Sequence, residues 1–389
     1  MSETKFIYGF RKKWIDLQVA IRLYINAFAY FGFLKAFEEI KNYFKDSRCL
    51  FKTNPNRYVI ADGEIIAVPD MPPVNSKDFI ENVLRDIEWI NHSKQPQLVF
   101  AIVCITSKCP FKCKYCYNSD LHTQEERLSI ETIIATIESL IEKGITSIYL
   151  SGGEPMMRWN DLTKILQKFR TSKTRFWLLS TGYQLSIEKL SILKDLGLKG
   201  VMISLDSINA EQINSVKGTL KAFSYATEAI KAANRTGLLV AIDCVFGKTL
   251  LQDTDFKNYI DFAGRQGAHF INCYTPRQMH HVLNDEYSSF NLADFKQLEK
   301  LTIENQKSSD YKNLPITYSP DLWEAKRGCV GGKLFIYIDP AGNVKPCPFI
   351  EKSFGNINDS DILQILTNFQ NRNNEHVCLT NKLLVELFF

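Results

Sequence analysis

From residue 98 onward, short apolar runs alternate with amphipathic stretches at a spacing that suits parallel strands joined by helical crossovers. Six such runs stand out: Leu98 to Thr106, Ser147 to Gly153, Arg175 to Gly182, Gly200 to Asp206, Leu238 to Gly247 and His269 to Pro276. Between the first two, the spacing predicts a helix over Ser129 to Lys143, with Ser129 as N-cap and Ile133, Ile134, Ile137, Leu140 and Ile141 recurring on one face. Six βα units predict an α/β fold built on a partial (β/α)6 TIM-like barrel, with functional groups gathered at the carboxyl ends of the strands.

Two flanking regions leave this rhythm. Trp14 to Phe44 has a helical pattern with a broad apolar face that includes Ile15, Val19, Leu23, Phe28, Phe31, Leu34, Phe37 and Ile40. Arg57 to Val68 reads as a hairpin turning at Asp62-Gly63. Toward the other end, Phe335 to Ile338 alternates as a strand, and Asp339-Pro340-Ala341-Gly342-Asn343 supplies a turn that brings Cys329 and Cys347 to the open end of a hairpin. The expected organisation is an N-terminal helical and hairpin extension over 1–95, the barrel over 96–310 and a small C-terminal α+β unit over 311–389.

Composition narrows the partners. A chain of 389 residues with 45% apolar and 23% charged side chains buries a substantial core. Its net charge of +4 is too small to imply nucleic acid. Arg11, Lys12 and Lys13 mimic the start of an export signal, but Asp16 and Arg22 interrupt the apolar region that follows. A cytoplasmic location is therefore expected, where clustered cysteines act as metal ligands rather than disulfides. Only 12 residues separate Arg22 from Lys35, short of the roughly 20 a membrane span needs. The N-terminal helix is expected to dock on the barrel or a partner, or to lie in a membrane interface beside its basic cluster.

The sharpest chemical signal is Cys109-Pro-Phe-Lys-Cys113-Lys-Tyr-Cys116. Three thiols in one short loop can hold three irons of a cubane cluster and leave the fourth open for a ligand. A zinc knuckle is the bland alternative, but the next histidine, His122, lies beyond the loop with no second one close. The spacing resembles the Cys-x3-Cys-x-aromatic-Cys loop of the radical S-adenosylmethionine (SAM) enzymes, with Tyr115 in the aromatic position. Ser151-Gly152-Gly153-Glu154-Pro155, at the end of the second predicted strand, is similar to the family's Gly-Gly-Glu-Pro motif. The resemblance implies a [4Fe-4S] cluster on Cys109, Cys113 and Cys116 that binds SAM, with Gly152, Gly153 and Glu154 at the SAM amino group. It also implies reductive cleavage of SAM to a 5′-deoxyadenosyl radical and an external one-electron donor such as a flavodoxin or ferredoxin. Ser180, Ser204 and Asp206 resemble family positions that contact the methionine carboxylate or the ribose, and they suit helix caps equally.

The last stretch, from Cys329 through Gly342 and Cys347 to Cys378, resembles the SPASM or twitch-like auxiliary-cluster domain of the same family. Only three cysteines follow residue 320, so one auxiliary iron-sulfur cluster is expected, with His376, Cys273 or a substrate open as the fourth ligand. Cys244 and Cys273, on the fifth and sixth strands, are candidate hydrogen donors to a substrate radical, with a core role as the bland reading. Arg277, His280 and His281 in the loop after the sixth strand are candidates for binding an anionic or polar substrate, or metal. A peptide or protein side chain is the favoured substrate. A small metabolite or a lipid is an alternative, and so is a non-catalytic electron carrier or redox sensor.

Overall fold

The computed structural model describes residues 5–46, 57–118, 126, 128–276, 290–307, 314–317 and 329–371. The N-terminal segment begins with β1 (Lys5–Tyr8), followed by α1 (Gly9–Phe31) and α2 (Phe33–Asp46). One helix was expected across Trp14 to Phe44; two form, because Gly32 between them takes φ +83° and its N–H closes on the Phe28 carbonyl at 3.1 Å. The predicted hairpin is present as β2 (Arg57–Ala61) and β3 (Glu64–Ile66), turning at Asp62 and Gly63 with φ of 49° and 79°. β1 adds antiparallel to β2. α3 (Lys77–His92) starts where the Ser76 hydroxyl accepts from the Phe79 N–H, and it packs Ile80, Leu84 and Ile87 against Leu23, Ala27 and Ile40 of α1 and α2.

All six predicted barrel strands are present: β4 (Phe100–Thr106), β5 (Ser147–Gly152), β6 (Arg175–Ser180), β7 (Leu198–Ser204), β8 (Leu239–Val245) and β9 (Phe270–Tyr274). They pair in sequence order, all parallel. The crossovers carry α4 (Ile130–Glu142), α5 (Trp159–Phe169), α6 (Ile187–Asp195), α7 (Ala210–Lys217), α8 (Ala222–Thr236) and α9 (Asp253–Gln266), and α10 (Leu292–Lys307) follows β9. Ser129 caps α4 as expected, accepting from the Thr132 N–H. β10 (Ile316–Thr317) extends one edge beside β9.

The C-terminal hairpin, β11 (Phe335–Ile338) and β12 (Asn343–Lys345), does not form a separate layer. β11 pairs in parallel with β4, in the register Phe335 to Phe100, so the barrel sheet runs on through β11, β12 and β13 (Gly355–Asn356) as ten strands in one open order. α11 (Ile362–Asn371) follows. This continuity was hidden in the sequence, because an edge partner leaves no local signature.

Side chains alternate across this sheet with a period of two. Ile148, Leu150, Leu178, Val201 and Ile242 meet the helices in the larger core, whereas Tyr149, Trp177, Met202, Ala241 and Phe270 face inward. Val59 and Ala61 of β2 and Ile66 of β3 pack into that inner cluster. The N-terminal sheet therefore packs on the inside of the barrel. Burying a side chain such as Ile66, 1% exposed, makes the extension part of the barrel's own core. Ile66→Ala is expected to cost about 2–5 kcal/mol, with the whole molecule unfolding earlier in a single urea transition. An unmoved barrel transition would show the extension to be independent.

Candidate active site

The cysteine loop leaves the end of β4 and is clamped from two sides. On one side the Gly153 N–H donates to the Thr106 carbonyl at 2.9 Å and the Glu154 N–H to the Lys108 carbonyl at 2.8 Å. A Cβ on Gly152 would lie 2.4 Å from the Thr106 carbonyl oxygen, and one on Gly153 would lie 2.3 Å from that of Lys108. Both glycines are thus required by the close approach of two backbones. On the other side the N–H groups of Lys112 and Lys114 donate to the carbonyls of Lys217 and Val216 at 3.1 and 2.9 Å, seating the loop on the end of α7. Phe111 inserts between Tyr183 and Tyr225 and is buried.

Glu154 lies beneath this clamp, fully buried. Its carboxylate accepts from the Ser180 hydroxyl at 2.9 and 3.0 Å, the Thr181 hydroxyl at 2.6 Å, the Thr181 N–H at 2.8 Å and the Met156 N–H at 3.2 Å. Burial raises its pKa against the pull of those donors. It ties the ends of β5 and β6 together, while Gly152, Gly153, Ser180 and Thr181 form the surface above it.

That surface belongs to a cavity of about 380 Å³. Cys109, Cys113, Cys116 and Tyr115 line it, and so do Ser204, Asp206, Cys329 and Cys347, so both cysteine groups open on one space. The predicted hairpin does bring Cys329 and Cys347 together, with the Gly332 N–H donating to the Pro346 carbonyl at 3.1 Å. Asp206 accepts from the Tyr115 hydroxyl and from the Val245 N–H at 2.9 Å, and it pairs with Lys217 at 3.3 Å. The cap of α7 is Asn209, not Asp206, since the Asn209 side chain accepts from the Gln212 N–H. Lys217, which the sequence did not single out, is 3% exposed, donates to the Ser204 hydroxyl and stands 5.6 Å from the Tyr115 ring centre. Burial works against its charge, but Asp206 and Cys113 more than offset this and raise its pKa.

The cavity wall also carries Asp70, Tyr149, Asp243 and Tyr274. Asp70, just beyond β3, accepts from the Tyr149 hydroxyl at 2.7 Å; Asp243 accepts from the Asn272 amide at 2.7 Å. Burial raises the pKa of both carboxylic acids, that of Asp243 to about 7. These acids escaped the sequence reading, yet strand parity marks Asp243, which shares the inward face with Ala241. The same parity places Cys244 and Cys273 on the helix side. They sit in the apolar core at 0% and 1% exposure, off the cavity wall, so neither thiol reaches a substrate there. Arg277, His280, His281, His376 and Cys378 lie outside the described residues.

The donor set suits an iron-sulfur cluster. Among the described residues no three His, Cys, Asp or Glu side chains converge as one metal ion requires, and the three loop thiols border a cavity instead. Burial pushes the Cys109 thiol up to about 12 and raises that of Cys113, so iron must displace protons to bind there.

A family model of the radical SAM superfamily matches residues 103–263, and a model of an iron-sulfur cluster-binding domain, SPASM, matches residues 329–381. The chain thus carries a radical SAM domain, which implies a [4Fe-4S] cluster with SAM, and a SPASM domain, which implies auxiliary iron-sulfur binding. A GTP 3′,8-cyclase of Aliarcobacter butzleri is 30% identical over 168 residues, 42% of this chain and 51% of that protein. The antilisterial bacteriocin subtilosin biosynthesis protein AlbA of Bacillus subtilis is 27% identical over 284 residues, 67% of this chain and 58% of that protein. The chain thus spans little more than half of either relative. Streptococcus suis SuiB bound to SAM shares the fold at TM-score 0.57 and 15% identity, over 90% of this chain and 84% of that one. anSMEcpe with bound AdoMet follows at TM-score 0.54 and 16% identity, over 75% and 84%.

Two outcomes follow. Gly153→Ala is expected to push the clamp apart and lower the iron retained after anaerobic reconstitution, measured per chain against wild type; full retention would contradict the close-approach requirement. At Asp243 the folded chain keeps a proton that the unfolded chain, titrating near about 4, has released, so this residue's contribution to stability falls as pH rises from about 4 to about 7. Asp243→Asn is expected to flatten that part of the stability profile in urea titrations, and an unchanged slope would contradict the burial argument.

Proposed function

We propose that this chain cleaves SAM reductively at a [4Fe-4S] cluster held by Cys109, Cys113 and Cys116, and modifies a side chain of a peptide or protein. The observation that carries this reading is the single cavity shared by those thiols, the Gly152-Gly153 surface and the Cys329 and Cys347 hairpin. When bound, the cluster would supply the one electron for reductive cleavage of the SAM sulfonium at its C5′ bond, the chemistry that gives methionine and a 5′-deoxyadenosyl radical able to take a hydrogen atom from a substrate. The backbone at Gly152 and Gly153 gives the SAM amino group a close surface. The Lys217 ammonium, already oriented by Asp206 and Ser204, faces the same space and suits the methionine carboxylate. Tyr115, within the loop, donates to Asp206 and so anchors Cys113 and Cys116 at the cavity wall. Phe100, Ile102, Leu179 and Met202 supply apolar lining that excludes water from a reactive radical.

Cys329, Cys347 and Cys378 are assigned to one auxiliary cluster. A peptide substrate is supported by AlbA, a bacteriocin biosynthesis protein, and by the fold likeness to SuiB, one of whose structures has the precursor peptide SuiA bound. The organisation into residues 1–95, 96–310 and 311–389 is part of this proposal, with β2 and β3 of the first unit packed on the inner face of the barrel. An external electron donor completes the reaction.

Anaerobic reconstitution, dithionite reduction and assay for 5′-deoxyadenosine test the reading directly. Wild type is expected to release 5′-deoxyadenosine and methionine in equal amounts, and Cys113→Ala to release none. Lys217→Met is expected to raise the KM for SAM about tenfold or more, the usual worth of a charge-assisted hydrogen bond. An iron-loaded wild type that yields no 5′-deoxyadenosine would favour an electron carrier instead.

A further inference from the structure

The helices α1 and α2 use one face to pack on α3 and, among the described residues, leave another uncovered. Phe10, Trp14, Leu17, Ile21 and Ile25 recur at four, three, four and four residues, which is one side of a helix. They are exposed at 84%, 53%, 50%, 50% and 60%, while Ile15, Leu23 and Ala27 on the opposite side are buried. The stripe does not stop at Gly32. Phe28 contacts Phe33 and Phe37 at ring distances of 4.9 and 5.1 Å, and Phe33, Leu34 and Phe37 are themselves 50% to 85% exposed. From Phe10 to Phe28 the stripe is roughly 27 Å long at the rise of an α-helix.

Along α1 its flanking charges are of one sign. Arg11 and Lys13 are exposed and lie about 80° to either side of the stripe's midline on a helical wheel. The only carboxylate of α1, Asp16, is turned away, bonded to Lys12 at 2.8 Å and to the Tyr58 hydroxyl. A convex apolar ridge with an exposed Trp, flanked by cations along α1 and by Lys35, Lys41 and one exposed acid, Glu38, along α2, matches a lipid interface with anionic headgroups. Among the described residues no helix is long and apolar enough to cross a membrane, so contact would be in the plane of the surface.

We propose that the α1 stripe, continued onto Phe33, Leu34 and Phe37, docks this enzyme on an anionic lipid surface. The inference is independent of the reaction, and the test reads binding alone. The full chain is floated with vesicles of phosphatidylcholine, with and without phosphatidylglycerol, at low and raised salt. Wild type is expected to float with the anionic vesicles and to be released by salt. Ile21→Glu/Ile25→Glu is expected to abolish flotation, and Arg11→Gln/Lys13→Gln to lower partitioning about thirtyfold, each cation contributing about a factor of five. All four side chains are exposed, so both variants should keep the wild-type melting temperature. Wild type that stays with the free protein, or variants that float like wild type, would overturn the proposal. So would a wild-type dimer in light scattering that Ile21→Glu/Ile25→Glu makes monomeric without any vesicle binding, since the face would then join two copies of the chain.

Discussion

Everything at the cavity rests on two backbones pressed together without a side chain between them. The Gly152-Gly153 turn meets Thr106 to Lys108 at hydrogen-bonding distance, and this contact sets where the cysteine loop leaves the sheet. Steric exclusion acts here as strongly as attraction. Any Cβ at either glycine would overlap a carbonyl oxygen, whereas the two N–H···O bonds give the contact its register. Glu154 then locks the turn to the end of β6 through the Ser180 hydroxyl and the Thr181 hydroxyl and N–H, and accepts from the Met156 N–H within the turn, which is how a fully buried carboxylate is made tolerable. A residue whose sequence motif points to ligand contact thus serves first as the brace that shapes the ligand surface.

The same logic explains the Lys217 and Asp206 pair. Two charges exposed at 3% and 2% are costly unless each is met by partners, and here Tyr115, Ser204 and the Val245 N–H complete the set. Because Tyr115 sits within the cysteine loop and Lys217 ends the helix that seats it, the pair couples loop position to local positive charge. The N-terminal sheet contributes comparably from below, packing on the inner face and delivering Asp70 to Tyr149. The C-terminal hairpin closes the remaining side by extending the barrel sheet at β4. Three segments far apart in sequence therefore build one chamber.

Much of this was legible in the sequence, where local rules sufficed. The six strands, the Ser129 cap, the Asp62-Gly63 turn and the hairpin joining Cys329 to Cys347 all follow from period, caps and turn chemistry. What escaped depended on long-range pairing or on parity. β1 and β11 find their partners across large sequence separations, and Gly32 splits a helix whose apolar face reads as continuous. Cys244 and Cys273 lie one residue out of phase with the cavity, whereas Asp243, one position earlier than Cys244, faces it. Counting alternation from Ala241 along β8 and from Phe270 along β9 separates them. Lys217 carried no signal beyond its place at a helix end, and its role emerges only once the loop is docked there.

The central claim is that two distinct thiol sets serve one cavity, with SAM bound at the loop set alone. The most direct measurement is iron content together with the electron paramagnetic resonance spectrum of the reduced protein, with and without SAM, in Cys329→Ala/Cys347→Ala and in Cys109→Ala/Cys113→Ala/Cys116→Ala. The account predicts about four irons in each variant, with a SAM-induced spectral change that survives in the first and is absent from the second. A SAM response that persists without the loop cysteines, or that requires Cys329 and Cys347, would contradict it.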